Sequence, residues 1–153
     1  MKHFIALFML VTLVVACNSD NNSSTTDFRA ANETEITEFI AKNSLNAEKS
    51  DSGLYYVIDN PGDGEQPSFS DNVTVAYKGY FTSGNVFDES SASGISFDLN
   101  RVIAGWTEGI TYFKEGGSGM LLIPSHLAYR NAGRPGIPGG AVLIFDINLI
   151  SVN

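Results

Sequence analysis

The stretch "RVIAGWTEGI", residues 101–110, contains the only tryptophan of the chain. Trp106 lies between two glycines and follows a Val-Ile pair. Tryptophan is seldom used as filler, because its indole N–H needs a hydrogen-bond partner when the ring is buried. The stretch is therefore interpreted in two ways, as a core anchor or as the floor of a binding pocket. The rest of the chain has to decide between them.

Around Trp106 the sequence predicts one short helix within a β-rich domain. The helix begins near Gly105 and ends at "EGG" (115–117), because glycine commonly terminates helices. The segment "NVTVAYKGYF" (72–81) alternates apolar and polar residues with a period of two, as strands do. Further strands are predicted at 53–59, 95–99, 117–124 and 141–150. The fold class is α+β, with an antiparallel sheet of about five strands and the helix in its concave face.

Composition limits the classes of function. The 153 residues are enough for one domain with small extras, and 43% of them are hydrophobic. The formal net charge is -8, and the nine lysines and arginines are scattered. A nucleic-acid partner is not expected, because no basic stripe is present. The acidity indicates solubility and does not identify a partner.

The N-terminus, "MKHFIALFMLVTLVVAC", predicts a signal peptide over residues 1–16. It has a positive charge, Lys2, before its apolar run, and that run is too short for a comfortable membrane span. The end of this segment, "VVAC", resembles a bacterial lipobox. Cys17 is the only cysteine of the chain, so lipidation fits it better than a disulfide, although an ordinary signal peptide is the alternative. The expected location is the bacterial cell envelope, as a periplasm-facing lipoprotein held by acyl chains. The outer membrane is favoured over the inner one because Asn18, not aspartate, follows Cys17.

Two short segments are predicted between Cys17 and the β-rich domain, which spans 52–153. Residues 17–31 are polar and predict a flexible tether. Residues 32–51 predict a prefix helix and a linker, with Asn32 and Glu35 as a capping pair at the start of the helix. The helix is expected to dock on the domain or to space it from the membrane.

The residues that carry most enzyme chemistry are missing. Beyond Cys17 there is no cysteine, and His126, predicted in a loop, is the only histidine after the signal peptide. No nucleophile elbow, P-loop or zinc-protease motif occurs, so no metal or cofactor is expected. Aromatic residues are instead frequent on different predicted strands and loops. They form either an ordinary aromatic core or an apolar pocket for a small ligand or peptide.

Four blocks, in order, resemble the FKBP-type peptidyl-prolyl cis/trans isomerase family. They are "VAYKGYFTSGNVFDES" (75–90), "ISFDLNRVIAGWTEGI" (95–110), "GSGMLLIPSHLAYRNAGRPGIPGG" (117–140) and "AVLIFDINLI" (141–150). The resemblance implies an FKBP-like antiparallel β half-barrel wrapped around one short helix. Together with the N-terminus, it implies the bacterial lipoprotein form of the family.

The resemblance also implies site residues. Trp106 is the floor of the pocket, the backbone N–H of Ile103 and the hydroxyl of Tyr129 donate to substrate carbonyls, and Asp88 at the rim either bonds to Tyr77 or polarises the twisted carbonyl. Ile137 lies in a flap, residues 133–140, over one side. The implied catalytic residues are Tyr77, Phe87, Asp88, Tyr129 and Phe145. The implied substrate-binding residues are Ile95, Phe97, Val102, Ile103, Trp106 and Ile137.

The chain departs from the family pattern near the flap. Arg130 stands where the family usually has glycine, and Arg134 where histidine or valine is frequent. Gly139-Gly140 replaces a Pro-Asn or Pro-His pair, and Ile95 an aromatic residue or valine. These changes bear on substrate preference and turnover, not on the fold.

The implied function is rotation about X–Pro bonds of exported envelope proteins by a membrane-anchored folding factor. Rotation makes no covalent bond, which agrees with the missing nucleophile and cofactor motifs. The implied partners are proline-containing proteins or peptides and FK506-like macrolides. The alternative is a proline-peptide-binding module or holdase with little or no turnover. A sugar-binding envelope lipoprotein, which would also use a tryptophan and carboxylates, ranks third.

Overall fold

Seven strands, all paired antiparallel, and two α-helices make up residues 27–153, the part of the chain that the computed structural model describes. In chain order they are α1 (Arg29–Lys42), β1 (Glu48–Lys49), β2 (Tyr55–Asn60), β3 (Asn72–Tyr80), β4 (Val86–Glu89), β5 (Ile95–Asp98), α2 (Ala104–Gly109), β6 (Ser118–Ile123) and β7 (Leu143–Val152). The sheet order is β1-β2-β6-β7-β3-β4, and β5 pairs with β3. The predicted signal peptide, Cys17 and the tether up to residue 26 lie outside the described residues.

The centre of the sheet is the β3–β7 pair, whose register places Val75 opposite Leu149. Both side chains are fully buried in the main core, as the alternation of β3 predicts. Asp146 and Asn148 of β7 point to the opposite face and are exposed. This confirms the prediction that the last strand has one buried and one solvated face.

Helix α2 packs against β6 through the two glycines of the opening stretch. A Cβ atom at Gly105 would overlap the side chain of Ile123, and one at Gly109 would lie 2.7 Å from the methyl groups of Leu121. Real Cβ contacts are not that short, so only glycine allows the helix to lie this close to the strand. Trp106, between the two glycines, is buried at 4% exposure. The predicted short helix is confirmed, but its predicted end at residues 115–117 is wrong: α2 ends at Gly109, and a 3₁₀ turn over Ile110–Tyr112 continues it only as far as Tyr112.

Helix α1 covers part of the other face of the sheet. Ile36 is fully buried there in a second apolar cluster with Tyr55, Val57, Leu122 and Val142. Helices therefore cover both faces of β6, which explains why its sequence, "SGMLLI", runs apolar instead of alternating. Of the two roles predicted for the prefix helix, docking on the domain or spacing it from the membrane, the structure shows docking.

The structure corrects the predicted start of the prefix helix. The helix begins at Arg29, so residues 29–31 are not part of a tether. Asn32 is not an N-cap: it lies inside the helix and is 2% exposed. Phe28 occupies the cap position, and the Asp27 carboxylate accepts the Arg29 N–H at 3.0 Å. A carboxylate before the first turn stabilises the free N–H groups at that end of a helix.

The sheet also has more strands than expected. β1 and β4 were not predicted, because the two residues of β1 are too few to alternate and the four of β4, "VFDE", place two apolar residues before two acidic ones instead of alternating. Between residues 27 and 153, neither helix has the length and hydrophobicity needed to cross a bilayer.

Candidate active site

A cavity of about 510 Å³ opens between α2, the concave side of the sheet and the loop that joins β6 to β7, residues 124–142. Its lining comes from β3, β4, β5 and β7, from residues 101–103 and α2, and from that loop. Its walls are formed by Tyr77, Asp88, Phe97, Arg101, Val102, Ile103, Trp106, Tyr129, Arg134 and Phe145. Eight of the eleven predicted catalytic and substrate-binding residues are among them.

Trp106 is the centre of an aromatic cluster at the floor of this cavity. Its ring centroid lies 5.1 Å from that of Tyr77, 5.4 Å from that of Phe97 and 5.3 Å from that of Phe145, each in an edge-to-face arrangement. Such pairs stabilise by about 0.5–1.5 kcal/mol beyond the burial of area. The indole Nε1 is buried and finds no hydrogen-bond acceptor within residues 27–153, so ring packing holds the side chain.

Tyr77 and Asp88 form a polar pair on the cavity wall. The Tyr77 hydroxyl donates to Asp88 Oδ2 at 2.9 Å, one of the two roles predicted for Asp88. Burial, and next the hydrogen bond to the carboxylate, raises the pKa of Tyr77 to about 12. The phenol is therefore protonated at neutral pH, and its proton is held by Asp88.

Three further polar groups belong to residues that line the cavity, two in the β6–β7 loop and one before α2. Arg134 Nη1 donates to the hydroxyl oxygen of Tyr129 at 2.9 Å, and the guanidinium lies 5.1 Å from the Tyr129 ring centroid. Ile103 precedes the first turn of α2, and its N–H donates to no backbone carbonyl of residues 27–153. The Tyr129 O–H and the Ile103 N–H are thus both available as donors, since the arginine uses a lone pair of Tyr129 and leaves its proton free.

Phe87 and Ile137 line a smaller crevice of about 50 Å³ that continues from the main cavity. The crevice shares Asp88, Tyr129, Arg134 and Phe145 with it, and adds Pro135 and Gly136 of the flap. The Phe87 ring packs edge-on against Phe145 at 5.5 Å. Ile137 is 6% exposed, and its backbone exchanges two hydrogen bonds with Arg134, which fixes the flap over this side.

Ile95 is the predicted site residue that the structure does not bring to the cavity. It lies opposite Val75 at the far end of β5 and is 45% exposed. Phe97, two residues closer to α2 along the same strand, is the residue that touches the Trp106 ring. A spacing of two residues along a strand is about 7 Å, which places Ile95 beyond the cavity.

Arg101 is a wall residue that the sequence did not predict. It directly precedes the Val-Ile pair and makes only a long ion pair, 3.8 Å, with Asp98. It comes directly before Val102 and Ile103, both predicted to bind substrate, but that position alone does not tell a cavity wall from a solvated surface. With Arg134, it gives the rim of this acidic protein two positive charges.

A larger and shallower groove, of about 820 Å³, runs along the outer side of α2. Its wall includes Pro67, Phe69 and Tyr112, and it shares only Val102 with the cavity described above. It holds none of the rings that surround Trp106, and we therefore assign the site to the smaller cavity. No group of three or more potential metal-ligating side chains occurs within residues 27–153.

Comparison with known proteins agrees with the geometry. Residues 63–150, more than half of the chain, match the family described as FKBP-type peptidyl-prolyl cis-trans isomerase. FkpA of Escherichia coli K12, named as such an isomerase, is 48% identical over 105 residues, covering 67% of this chain and 39% of the relative. A protein of Neisseria meningitidis serogroup B named as a probable isomerase of this type is 47% identical over 104 residues, 66% of this chain and 38% of the relative. The chain thus spans about two fifths of the length of these relatives.

Solved structures give the same result. The crystal structure of FkpA from Escherichia coli superposes with a TM-score of 0.73 at 42% identity, covering 82% of this chain and 61% of that one. A peptidyl-prolyl cis-trans isomerase of Pseudomonas syringae pv. tomato superposes with a TM-score of 0.71 at 30% identity, covering 84% of this chain and 97% of that one. The half-barrel around one short helix is therefore confirmed, and the chain belongs to the FKBP-type peptidyl-prolyl cis-trans isomerase family.

Proposed function

We propose that the protein is a peptidyl-prolyl cis/trans isomerase that rotates X–Pro bonds in the cavity above Trp106. One observation carries the proposal: the same cavity is lined by an aromatic floor and by two residues with a free hydrogen-bond donor, Ile103 with its N–H and Tyr129 with its O–H. An apolar floor suits the proline ring, and the donors suit the carbonyls on either side of it.

The barrier to be lowered is the loss of amide resonance, about 18–20 kcal/mol. In the twisted amide the charge separation of the planar form is lost, so an apolar cavity favours the twisted state over either planar isomer. Donors fixed where the twisted carbonyl lies add to this preference because they need no reorganisation. Lowering the barrier by about 4–7 kcal/mol accelerates rotation roughly 10³- to 10⁵-fold.

The polar residues of the rim have separate tasks in this mechanism. Asp88 holds the Tyr77 hydroxyl at 2.9 Å and so fixes that ring against Trp106. Arg134 occupies the acceptor side of the Tyr129 oxygen, so the Tyr129 proton points away from the arginine. A hydroxyl that accepts a bond from a cation is also a stronger donor, because hydrogen bonds polarise one another.

We also propose that the protein works at the membrane surface of the bacterial envelope, on exported proteins. The support is the sequence "VVAC" that ends at Cys17, the apolar run before it, and the lack of any other cysteine. Mass spectrometry of the membrane fraction tests this: we expect a mature chain that begins at an acylated Cys17. Cleavage at another residue, or an unmodified Cys17, would remove the proposal and leave the site unaffected.

The activity is tested with tetrapeptides that vary the residue before proline. We expect the purified protein to accelerate isomerisation, and Trp106→Leu to lower kcat/KM by at least about tenfold, since the floor loses its ring packing. Phe69→Ala is the matched control, because Phe69 is 67% exposed and lines only the outer groove. Loss of activity in Phe69→Ala with full activity in Trp106→Leu would move the site to that groove.

Binding of FK506-like macrolides is part of the same proposal. The main cavity and the crevice beside it are contiguous through four shared residues, which gives an apolar ligand two connected compartments. We expect a macrolide to inhibit isomerisation competitively. Inhibition that peptide does not relieve would argue against a shared site.

A further inference from the structure

We propose that Asn32 of helix α1 is a positioning residue for the active site, since it ties the two ends of the β6–β7 loop together. The inference rests on the isomerase proposal for its functional consequence, but its structural part stands apart from it. α1 lies outside residues 63–150, the part that matches the family. The functional unit would accordingly include a helix that the family match leaves out.

The Asn32 side chain bonds to two points of the loop that are far apart in sequence. Its Nδ2 donates to the carbonyl of Gly140 at 2.8 Å, and its Oδ1 accepts the N–H of Ser125 at 2.8 Å. Both bonds are buried, and Asn32 itself is 2% exposed. Asparagine has a low propensity for the interior of a helix. Asn32 is therefore held in place by its hydrogen bonds to residues outside the helix.

The two anchor points enclose the cavity residues of the loop. From Ser125 the backbone leads to Arg130, whose N–H donates to the Ser125 carbonyl at 2.8 Å. The Gly140 N–H in turn donates to the Arg130 carbonyl at 2.8 Å. Tyr129, the predicted donor, lies next to Arg130 inside this ring of hydrogen bonds. Asn32 closes the ring from outside.

Two other residues of the same N-terminal segment contact segments that lead to site residues. The Phe28 ring packs on Gly140, where a Cβ atom would lie 2.5 Å from Phe28 Cε1. Gly140 also has φ +78°, so the position requires glycine for two reasons. Glu35 accepts a hydrogen bond from Thr82 at 2.5 Å, in the turn that leads into β4 and Phe87. Phe28 and α1 therefore contact the loop that carries Tyr129 and the turn that precedes β4.

Removing the Asn32 amide leaves a buried N–H and a buried carbonyl without partners. Buried polar groups that lose their partners destabilise the folded state, and the loop has to open so that water can replace the lost bonds. Because the sheet does not depend on these bonds, the change should stay within the loop. The expected result is a displaced Tyr129 in a protein that remains folded.

The test compares Asn32→Ala with Val57→Ala. Val57 packs in the same apolar cluster under α1, but it belongs to β2, which pairs with β6 and not with the loop. We expect amide hydrogen exchange in residues 125–140 of Asn32→Ala to rise about tenfold or more, with β3 and β7 amides unchanged relative to Val57→Ala. We expect kcat/KM of Asn32→Ala to fall about three- to tenfold, and that of Val57→Ala to stay within about twofold of the unaltered protein.

A second comparison shows whether Asn32 acts through Tyr129. In a Tyr129→Phe background the effect of Asn32→Ala on kcat/KM should shrink, because the group that it positions is already missing. If Asn32→Ala does not fold, Phe28→Ala tests the same loop through the packing on Gly140, and we expect faster exchange in residues 125–140 there also.

Three results would overturn the inference. They are an Asn32→Ala protein with unchanged loop exchange, an equal loss of kcat/KM in Val57→Ala, and full additivity with Tyr129→Phe. A chain that shows no isomerase activity but does show faster loop exchange in Asn32→Ala would refute the proposed function and leave the structural role of Asn32 in the loop intact.

Discussion

The hydrogen bond from Arg134 to Tyr129 makes a quantitative prediction about turnover. Tyr129→Phe removes one hydroxyl donor from the cavity, and a net loss of about 1–1.5 kcal/mol lowers kcat/KM roughly tenfold. Arg134→Ala keeps that hydroxyl but removes the guanidinium that donates a hydrogen bond to its oxygen at 2.9 Å. Arg134 is exposed, so the charge-assisted bond is screened and amounts to about 0.5–1 kcal/mol, or a two- to fivefold loss of kcat/KM.

A double-mutant cycle separates this indirect effect from direct binding of substrate. If Arg134 acts through the Tyr129 hydroxyl, Arg134→Ala has no further effect in a Tyr129→Phe background. Arg101→Ala is the matched control, because Arg101 lines the same cavity but has Asp98 as its charged partner. Its effect should add to that of Tyr129→Phe. Arg134→Lys should keep only part of the effect, because lysine lacks the planar fork of arginine.

The assay is kcat/KM for one Xaa-Pro tetrapeptide, measured for the single and double variants at constant ionic strength. An equal loss of kcat/KM on Arg134→Ala in the unaltered protein and in Tyr129→Phe would refute this indirect role of Arg134. That result would mean that the guanidinium acts on the substrate directly and not through Tyr129.

Three other predictions concern stability, titration and the flap. Gly105→Ala should destabilise the protein by about 1 kcal/mol in urea unfolding, since overlap with Ile123 outweighs the gain in helix propensity; a more stable variant would show that α2 can shift. The pKa of Tyr77, about 12 in the folded protein, should add to the free energy of unfolding; this contribution is complete below about pH 10 and is lost as the pH rises towards 12. Tyrosinate absorbance, compared with that of Tyr77→Phe, measures this pKa. Asp88→Asn should lower the pKa of Tyr77 but not to its usual value, because burial is the larger cause of the shift. Arg130 has φ +53° and does not line the cavity, so Arg130→Gly should keep kcat/KM within about twofold; a larger change would give its side chain a part in turnover.

The sheet and the inner helix were predictable because their signals are local. β3 and β7 alternate over nine and ten residues, long enough for a period of two to be recognised. α2 follows a Val-Ile pair, and its last residue is Gly109. β1 and β4 exist because neighbouring strands pair with them, and that information lies elsewhere in the chain.

The site was predictable where the family resemblance named a residue and the fold kept it in place. Trp106, Tyr77 and Phe145 meet because they lie on α2, β3 and β7, which enclose one core. Ile95 was predicted to bind substrate, but it lies outside the cavity because it is the first residue of a four-residue strand, and the sequence does not show where that strand begins. Arg101 was missed because nothing in its local sequence separates a cavity wall from a solvated surface.

Asn32 shows the limit of local interpretation most clearly. An asparagine three residues before a glutamate is typical of an N-cap, and the pattern was interpreted in that way. The structure uses the same amide to bind Ser125 and Gly140, more than ninety residues away in the chain. Only the fold brings these partners together, so no short window of sequence contains the signal.

The most direct test of the account is exchange NMR spectroscopy of a single Xaa-Pro peptide with a small fraction of the protein. The account predicts cis–trans exchange cross-peaks that the protein induces and that Trp106→Leu weakens or removes. The contradicting result is a peptide that binds saturably, with quenching of Trp106 fluorescence, while its cis and trans forms exchange no faster than in buffer. The cavity would then be a proline-peptide binding site without turnover.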